Sequence, residues 1–252
     1  MTGTTAVGSQ REPELSGQTV VVIGGSAGIG LETARRARAE GADVILTARN
    51  PDHLKRAGAE IGAHDTAAFD VTDWAALDRF FAGLPETIDH VMVTGPGPYY
   101  APLADLDRER AHQDFDHHLW LAIEVARHAV GRVRPGGTLL FMGGTGGRSR
   151  GPGLSLMAAG TAALPALIAN LAVEVAPIRV NLIAAGFVDT PLSASLLGDD
   201  LDARRAQLRA TLPIRRVIGP ADIAALAVHL MTNTAVTGAT YDIDGGQQFV
   251  PA

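Results

Sequence analysis

The stretch Gly24-Gly25-Ser26-Ala27-Gly28-Ile29-Gly30 carries the densest chemical signal in the chain. A β-branched run, Thr19–Ile23, leads into it and a helical pattern, Gly28–Glu40, follows at once. Glycines permit a sharp strand-to-helix turn and let backbone N–H groups come close to a pyrophosphate, while the helix N-terminus adds partial positive charge. In that context Gly24, Ser26, Ala27, Gly28, Ile29 and Gly30 are expected to hold a dinucleotide; the alternative is a plain tight turn. The second strand pattern ends at Thr47-Ala48-Arg49. A carboxylate near this point commonly bonds the ribose hydroxyls of a cofactor without a 2′-phosphate. Ala48 offers none, and Arg49 supplies a fork of donors suited to phosphate, which favours NADP(H) over NAD(H). The alternative for Arg49 is a solvated loop charge.

The elements that must position this turn follow from periodicity. Short β-branched runs alternate with amphipathic stretches, the pattern of βαβ units feeding a parallel sheet. Strands are expected at Thr19–Ile23, Asp43–Ala48, Ala67–Phe69, His90–Thr94, Thr138–Met142, Arg179–Ala184 and Thr240–Ile243. Helices are expected at Gly28–Glu40, Pro51–Ile61, Trp74–Gly83, Arg108–Val133, Ala158–Val175 and Pro220–Met231. Pro165 falls inside one of them, where it removes a backbone bond and is expected to bend the helix. The expected fold is therefore a single α/β domain over residues 15–252, Rossmann-type and doubly wound, with a mostly parallel seven-stranded sheet covered by helices on both faces. Residues 1–14 read as a flexible tail without the apolar core of a signal peptide.

Composition narrows the remaining classes. The 252 residues are 46% hydrophobic, ample for a core, and contain no cysteine, which excludes disulfides, thiolate metal sites and cysteine nucleophiles. A formal charge of −6 argues against nucleic acid or an anionic membrane as the main partner. No apolar run was expected to approach the ~20 residues that span a bilayer, so a cytoplasmic protein acting on a small molecule is the expectation. The histidines lack metal-ligand spacing. The segment Gly143–Gly153 is glycine-rich and ends a strand, where open α/β sheets bind ligands; a flexible connection is the alternative.

Together these motifs resemble the short-chain dehydrogenase/reductase family from about Leu15 to Phe249. Asp70-Val71-Thr72-Asp73 is similar to its adenine-contacting segment, implying that Asp70 and the Val71 backbone hold the adenine. Arg179-Val180-Asn181 followed by Ala185-Gly186-Phe187-Val188-Asp189-Thr190-Pro191 resembles the exit of its sixth strand, implying that Val188 and Thr190 line the nicotinamide end. Thr237–Gly246 is similar to its closing strand and Gly-Gly turn. Thr94 and Gly95, beginning Thr94-Gly95-Pro96-Gly97, stand where an Asn-Asn-Ala-Gly segment is usual and are expected to border the cofactor. The resemblance also implies a homodimer or homotetramer.

The catalytic half departs from the family pattern. Its members usually pair a Ser after the fifth strand with a Tyr and a Lys on the next helix, where the Tyr moves the proton and the Lys lowers its pKa. In register, Gly143 and Gly144 occupy the Ser position, Met157 the Tyr and Thr161 the Lys. No slip recovers them: no Tyr lies between Tyr100 and Tyr241, and the only lysine is Lys55. Substitutes are Tyr99 or Tyr100 after the fourth strand; His118, aligned with the family's active-site Asn; and Thr145 or Ser149 as hydrogen-bond donors. Of His117 and His118 only one can face the cleft, because helical neighbours diverge by about 100°. Arg148 and Arg150 are candidate anion binders. Each has a plainer reading as a packing, turn or solvated residue. Three functions remain open: an oxidoreductase with a substitute proton donor, a catalytically inactive NADP(H)-binding sensor or partner subunit, and a lyase, isomerase or dehalogenase on the same scaffold.

Overall fold

The computed structural model describes residues 14–95, 97–148 and 150–250. The expected tail falls on residues 1–13, outside that set, apart from Glu14, whose N–H reaches Glu40 Oε2 at 3.3 Å.

Seven strands, β1 (Thr19–Ile23), β2 (Asp43–Ala48), β3 (Asp65–Ala68), β4 (Ile88–Val93), β5 (Val133–Gly144), β6 (Arg179–Ala185) and β7 (Thr240–Ile243), form one sheet in the order β3-β2-β1-β4-β5-β6-β7. All its ladders are parallel. Both faces are covered, so the strands read as continuous apolar runs rather than alternating ones. Val21 and Ile23 point into a core filled by Leu77 and Phe81 of α3 (Trp74–Gly83), Val125 of α5 (Leu121–Ala129) and Ile168 of α6 (Ser155–Glu174). Val20 and Val22 point the other way, onto Ala34 of α1 (Gly28–Ala39), Leu54 of α2 (Pro51–Ile61) and Ile223 of α9 (Pro220–Thr232).

Several boundaries differ from the sequence expectation. The single helix expected over Arg108–Val133 is α4 (Arg108–Phe115), a π-helical turn at Asp116–Trp120, and α5. Two helices not foreseen, α7 (Pro191–Leu197) and α8 (Leu201–Thr211), occupy the connection after β6. Helix α6 starts three residues earlier than expected and runs through Pro165 without interruption. It is also, contrary to expectation, long and apolar enough to cross a membrane, with 20 residues and a mean hydropathy of 1.8. Its buried positions Leu164, Ile168 and Leu171 follow a helical stripe against the sheet, so here it is a layer of the α/β sandwich.

Strand order reverses between β1 and β4, because the chain winds from β1 to β2 and β3 on one side and resumes with β4 on the other. That reversal opens a crevice at the carboxyl ends of the strands, where ligands bind in such sheets.

Candidate dinucleotide and active site

The glycine turn lies in this crevice. Gly24 takes φ +89°, a left-handed conformation that favours glycine, and a β-carbon there would fall 2.3 Å from Thr94 Oγ1. A β-carbon on Gly30 would lie 2.2 Å from the Gly24 carbonyl oxygen, so the turn closes only with glycine at both positions. Thr94, just past β4, donates its hydroxyl to the carbonyls of Ile23 and Gly24, both at 3.0 Å. This ties the two strands that flank the crevice. Helix α1 then begins with Ala27 at its N-cap, no capping side chain and no acidic residue in its first turn. By contrast α2, α3 and α4 are capped by Asn50, Asp73 and Asp107. The first-turn amides of α1 keep their donors for an anion, which the helix dipole also favours.

Arg49 follows β2, exposed, with no hydrogen-bond or ion-pair partner among the described residues. Asp70 Oδ1 accepts the Thr72 N–H at 3.0 Å and the Thr72 hydroxyl at 2.8 Å, forming an Asx-type turn. Burial pulls its carboxyl up, but the Thr72 bonds and then the Arg49 and His117 charges outweigh that and leave it below its ordinary value. The carboxylate is thus ionised and offers an acceptor. His117 lines a cavity of about 370 Å³ with Thr72, Trp74, Gln113 and Asp116, on the Asp70 side.

Across the crevice, Val188 is buried and bridges Ile218, and Thr190 caps α7 in a reciprocal bond pair with Ser193. The Thr190 methyl and Pro191 come within 3.5 and 3.8 Å of a β-carbon placed on Gly28, so the start of α7 rests against the glycine turn. Asp189 is held by Arg205 of α8 through two bonds, at 2.9 and 2.7 Å.

Gly144, Met157 and Thr161, expected at the family's Ser, Tyr and Lys positions, lie around the loop after β5 and the start of α6. Gly144 has room, since a β-carbon would meet nothing closer than 3.6 Å. Gly146 is pressed on Met157, whose Sδ would be 2.6 Å from a β-carbon there, and Gly147 is pressed on the Thr161 hydroxyl at 2.7 Å. Thr161 donates that hydroxyl back to the Met157 carbonyl at 2.9 Å. The glycines let the loop after β5 lie directly on α6. Thr145 opens a 3-10 turn there and is 5% exposed. Ser149 lies outside the described residues.

Among the substitutes, Tyr99 is engaged: its hydroxyl accepts the Asp107 N–H at 3.1 Å and Arg110 stacks 4.4 Å over its ring. Tyr100 is half-exposed, and partial burial followed by the nearby Asp114 carboxylate pushes its hydroxyl up, so it remains a protonated donor. His118 directs Nδ1 at the Asp114 carbonyl, 2.7 Å away, with the Asp114 carboxylate at 3.5 Å. A carbonyl only accepts, so Nδ1 carries the hydrogen, leaving Nε2 as the ring atom available for proton exchange. Asp114 is itself buried and accepts the Tyr99 N–H at 2.9 Å. Arg148, a candidate anion binder or solvated loop charge, is instead paired with Asp242 and Gln248, and Arg150 donates to the Gly147 carbonyl at 3.1 Å. Sequence reasoning missed these long-range pairs because nothing local marks a partner about a hundred residues away.

A doubly wound parallel sheet with an open helix N-terminus at its switch point defines a dinucleotide-binding α/β protein. The family model described as enoyl-(acyl carrier protein) reductase matches residues 24–248, and the chain belongs to the short-chain dehydrogenase/reductase family. It is 28% identical over 242 residues to an oxidoreductase, asL5, of Sarocladium schorii, covering 92% of this chain and 96% of that protein. A solved short-chain dehydrogenase/reductase family protein superposes with a TM-score of 0.81 at 32% identity, covering 94% of this chain and 100% of that one. The NADPH complex of BdcA superposes with a TM-score of 0.82 at 27% identity, covering 92% and 95%.

Proposed function

We propose that this chain is an NADP(H)-dependent oxidoreductase that moves a hydride between the nicotinamide and a small carbonyl or alcohol, with a proton donor other than a Tyr-Lys pair. The observation that carries the reading is the uncapped α1 N-terminus behind the Gly24–Gly30 turn, braced by Thr94. Unpartnered Arg49, beside Ala48 where a carboxylate would select NAD(H), supports NADP(H). Val188, Thr190 and Gly95 border the nicotinamide half, and Asp70 and Val71 the adenine. The cofactor supplies the hydride. His118 then exchanges the proton of the substrate oxygen through Nε2, oriented by Asp114, with Tyr100 and Thr145 as hydrogen-bond donors at the same oxygen. Leu192 packs against Gly97, and Tyr100, Leu103 and Leu196 are exposed nearby, an apolar rim suited to an uncharged substrate.

A second reading, a non-catalytic NADP(H)-binding sensor or partner subunit, is favoured by the packing of Met157 and Thr161 against Gly146 and Gly147. Titration with NADPH and NADH by fluorescence, then consumption of cofactor across activated ketones and quinones, separates the two. Turnover lost in His118→Ala supports the first; tight binding without turnover supports the second; no binding overturns both. We further propose self-association into a homodimer or homotetramer, with no nucleic-acid or membrane partner. It is supported by Val173, exposed on the apolar α6, and Trp120, exposed on the π-helical turn before α5, and is tested by sedimentation.

A further inference from the structure

The loops leaving β5 and β6 are fastened by one C-terminal turn. Asp244, 5% exposed, accepts the Gly246 N–H at 2.8 Å and the Gln248 N–H at 3.0 Å, which sets the two following glutamines. Gln247 Oε1 accepts the Phe187 N–H at 2.8 Å. That approach depends on Gly186, where a β-carbon would lie 2.7 Å from both Gln247 Oε1 and Asp244 Cβ. Gln248 acts in the other direction: its Oε1 accepts from Arg148 Nη1, and its Nε2 donates to Asp242 Oδ2 at 3.2 Å. Asp242 completes the link, taking Arg148 Nη2 at 2.9 Å. The backbone at Phe187–Val188 and the turn Thr145–Arg148 are thus each held by a side chain of adjacent residues.

We propose that Gln247 and Gln248 are positioning residues for the nicotinamide half of the site: Gln247 sets the loop after β6, and Gln248, through Arg148, sets the loop after β5. The inference rests on the NADP(H) reading above. The nicotinamide and the reacting carbon must be held about 3–3.5 Å apart and aligned for hydride transfer. The loop after β6 is also tied to Ile218 and Arg205, and the loop after β5 rests on α6; the Gln247–Gln248 turn adds a tie common to both loops, which sets their separation. The adenine half, around Arg49 and Asp70, lies beyond its reach.

The test compares NADPH with adenosine 2′,5′-bisphosphate, which lacks the nicotinamide, in binding titrations on the full chain. In Gln247→Met, similar in shape but without the acceptor, NADPH affinity is expected to fall roughly 5- to 20-fold while the bisphosphate is unchanged. Gln247→Glu keeps an acceptor and is expected to retain NADPH affinity within about twofold. Gln248→Ala, a safeguard should the first variant misfold, is expected to show the same selective loss. Parallel weakening of both ligands, or no weakening of either, overturns the inference alone. Failure of the unaltered chain to bind NADPH overturns the dinucleotide reading and the inference with it.

Discussion

Thr94 Oγ1 sits 3.0 Å from the carbonyl oxygens of both Ile23 and Gly24, so one hydroxyl spans the end of β4 and the first residue of the glycine turn. The contact joins the strands between which sheet order reverses, and it holds Gly24 in its left-handed conformation. The geometry of the phosphate cradle therefore depends on a residue from the opposite side of the crevice.

Thr94→Val removes that hydroxyl while keeping the branched shape. The bond lies within the protein and contributes about 1 kcal/mol net to stability, so the thermal midpoint should fall by roughly 2–4 °C, with weaker NADPH binding as the turn loosens. Gly30→Ala is expected to be far harsher, because its methyl meets the Gly24 carbonyl, a backbone atom that cannot rotate away. Fluorescence titration and circular dichroism read both outcomes.

Arg49→Ala should separate the two nicotinamide cofactors. Loss of a charge-assisted contact to a 2′-phosphate costs about 1.5–3 kcal/mol, or roughly ten- to a hundredfold in NADPH affinity, while NADH binding stays level. Equal effects on both would remove the case for NADP(H) selection.

His90 gives a pH dependence of stability. Burial, the largest cause, and the Arg134 and Arg179 charges push its imidazole down to about 3 from an ordinary 6.5, against the opposing pull of Asp89. The native state therefore holds His90 neutral, bonded to Gln18 at 2.8 Å, at pH values where the unfolded chain protonates it. Stability is fully present above the unfolded value of 6.5 and is lost as pH falls toward the folded value of about 3. The loss by pH ~4.5 is about 2–3 kcal/mol. Urea titrations at several pH values should show this slope, and His90→Gln should flatten it relative to the unaltered chain.

The loop after β5 makes a steric prediction. Gly144→Ser is expected to be tolerated, within about 0.5 kcal/mol, because a β-carbon there meets its neighbours at ordinary contact distance, 3.6 Å or more. Gly147→Ala forces a methyl between the Thr161 hydroxyl and the Ala158 carbonyl and should cost about 1–3 kcal/mol. Differential scanning fluorimetry distinguishes them. A chain carrying Gly144→Ser, Met157→Tyr and Thr161→Lys together tests whether the usual proton-handling set can be rebuilt; ketone reduction that appears only in that chain would mean that His118 is no proton donor.

Much of this architecture was legible in the residues. Strands β1, β2 and β7 and helices α2 and α3 fall where periodicity places them, and the structure shows Asn50, Gly62 and Asp73 capping the two helices within one turn of their own element. Helices α7 and α8 carry little periodic signal because α7 leaves Leu192 and Leu196 exposed and α8 buries only Leu208. Arg148 read as a free charge because its carboxylate lies on β7, far along the chain.

By itself the sequence determined the doubly wound fold, the Gly24–Gly30 turn and the lack of a Tyr-Lys pair, because local periodicity, turn chemistry and residue identity carry those features. Tertiary structure alone decided that Thr94 braces the turn, that Tyr99 and Arg148 are already engaged, and that Gln247 reaches Phe187. Each of these joins residues distant in the chain, and only the closing of the sheet brings such partners within bonding distance.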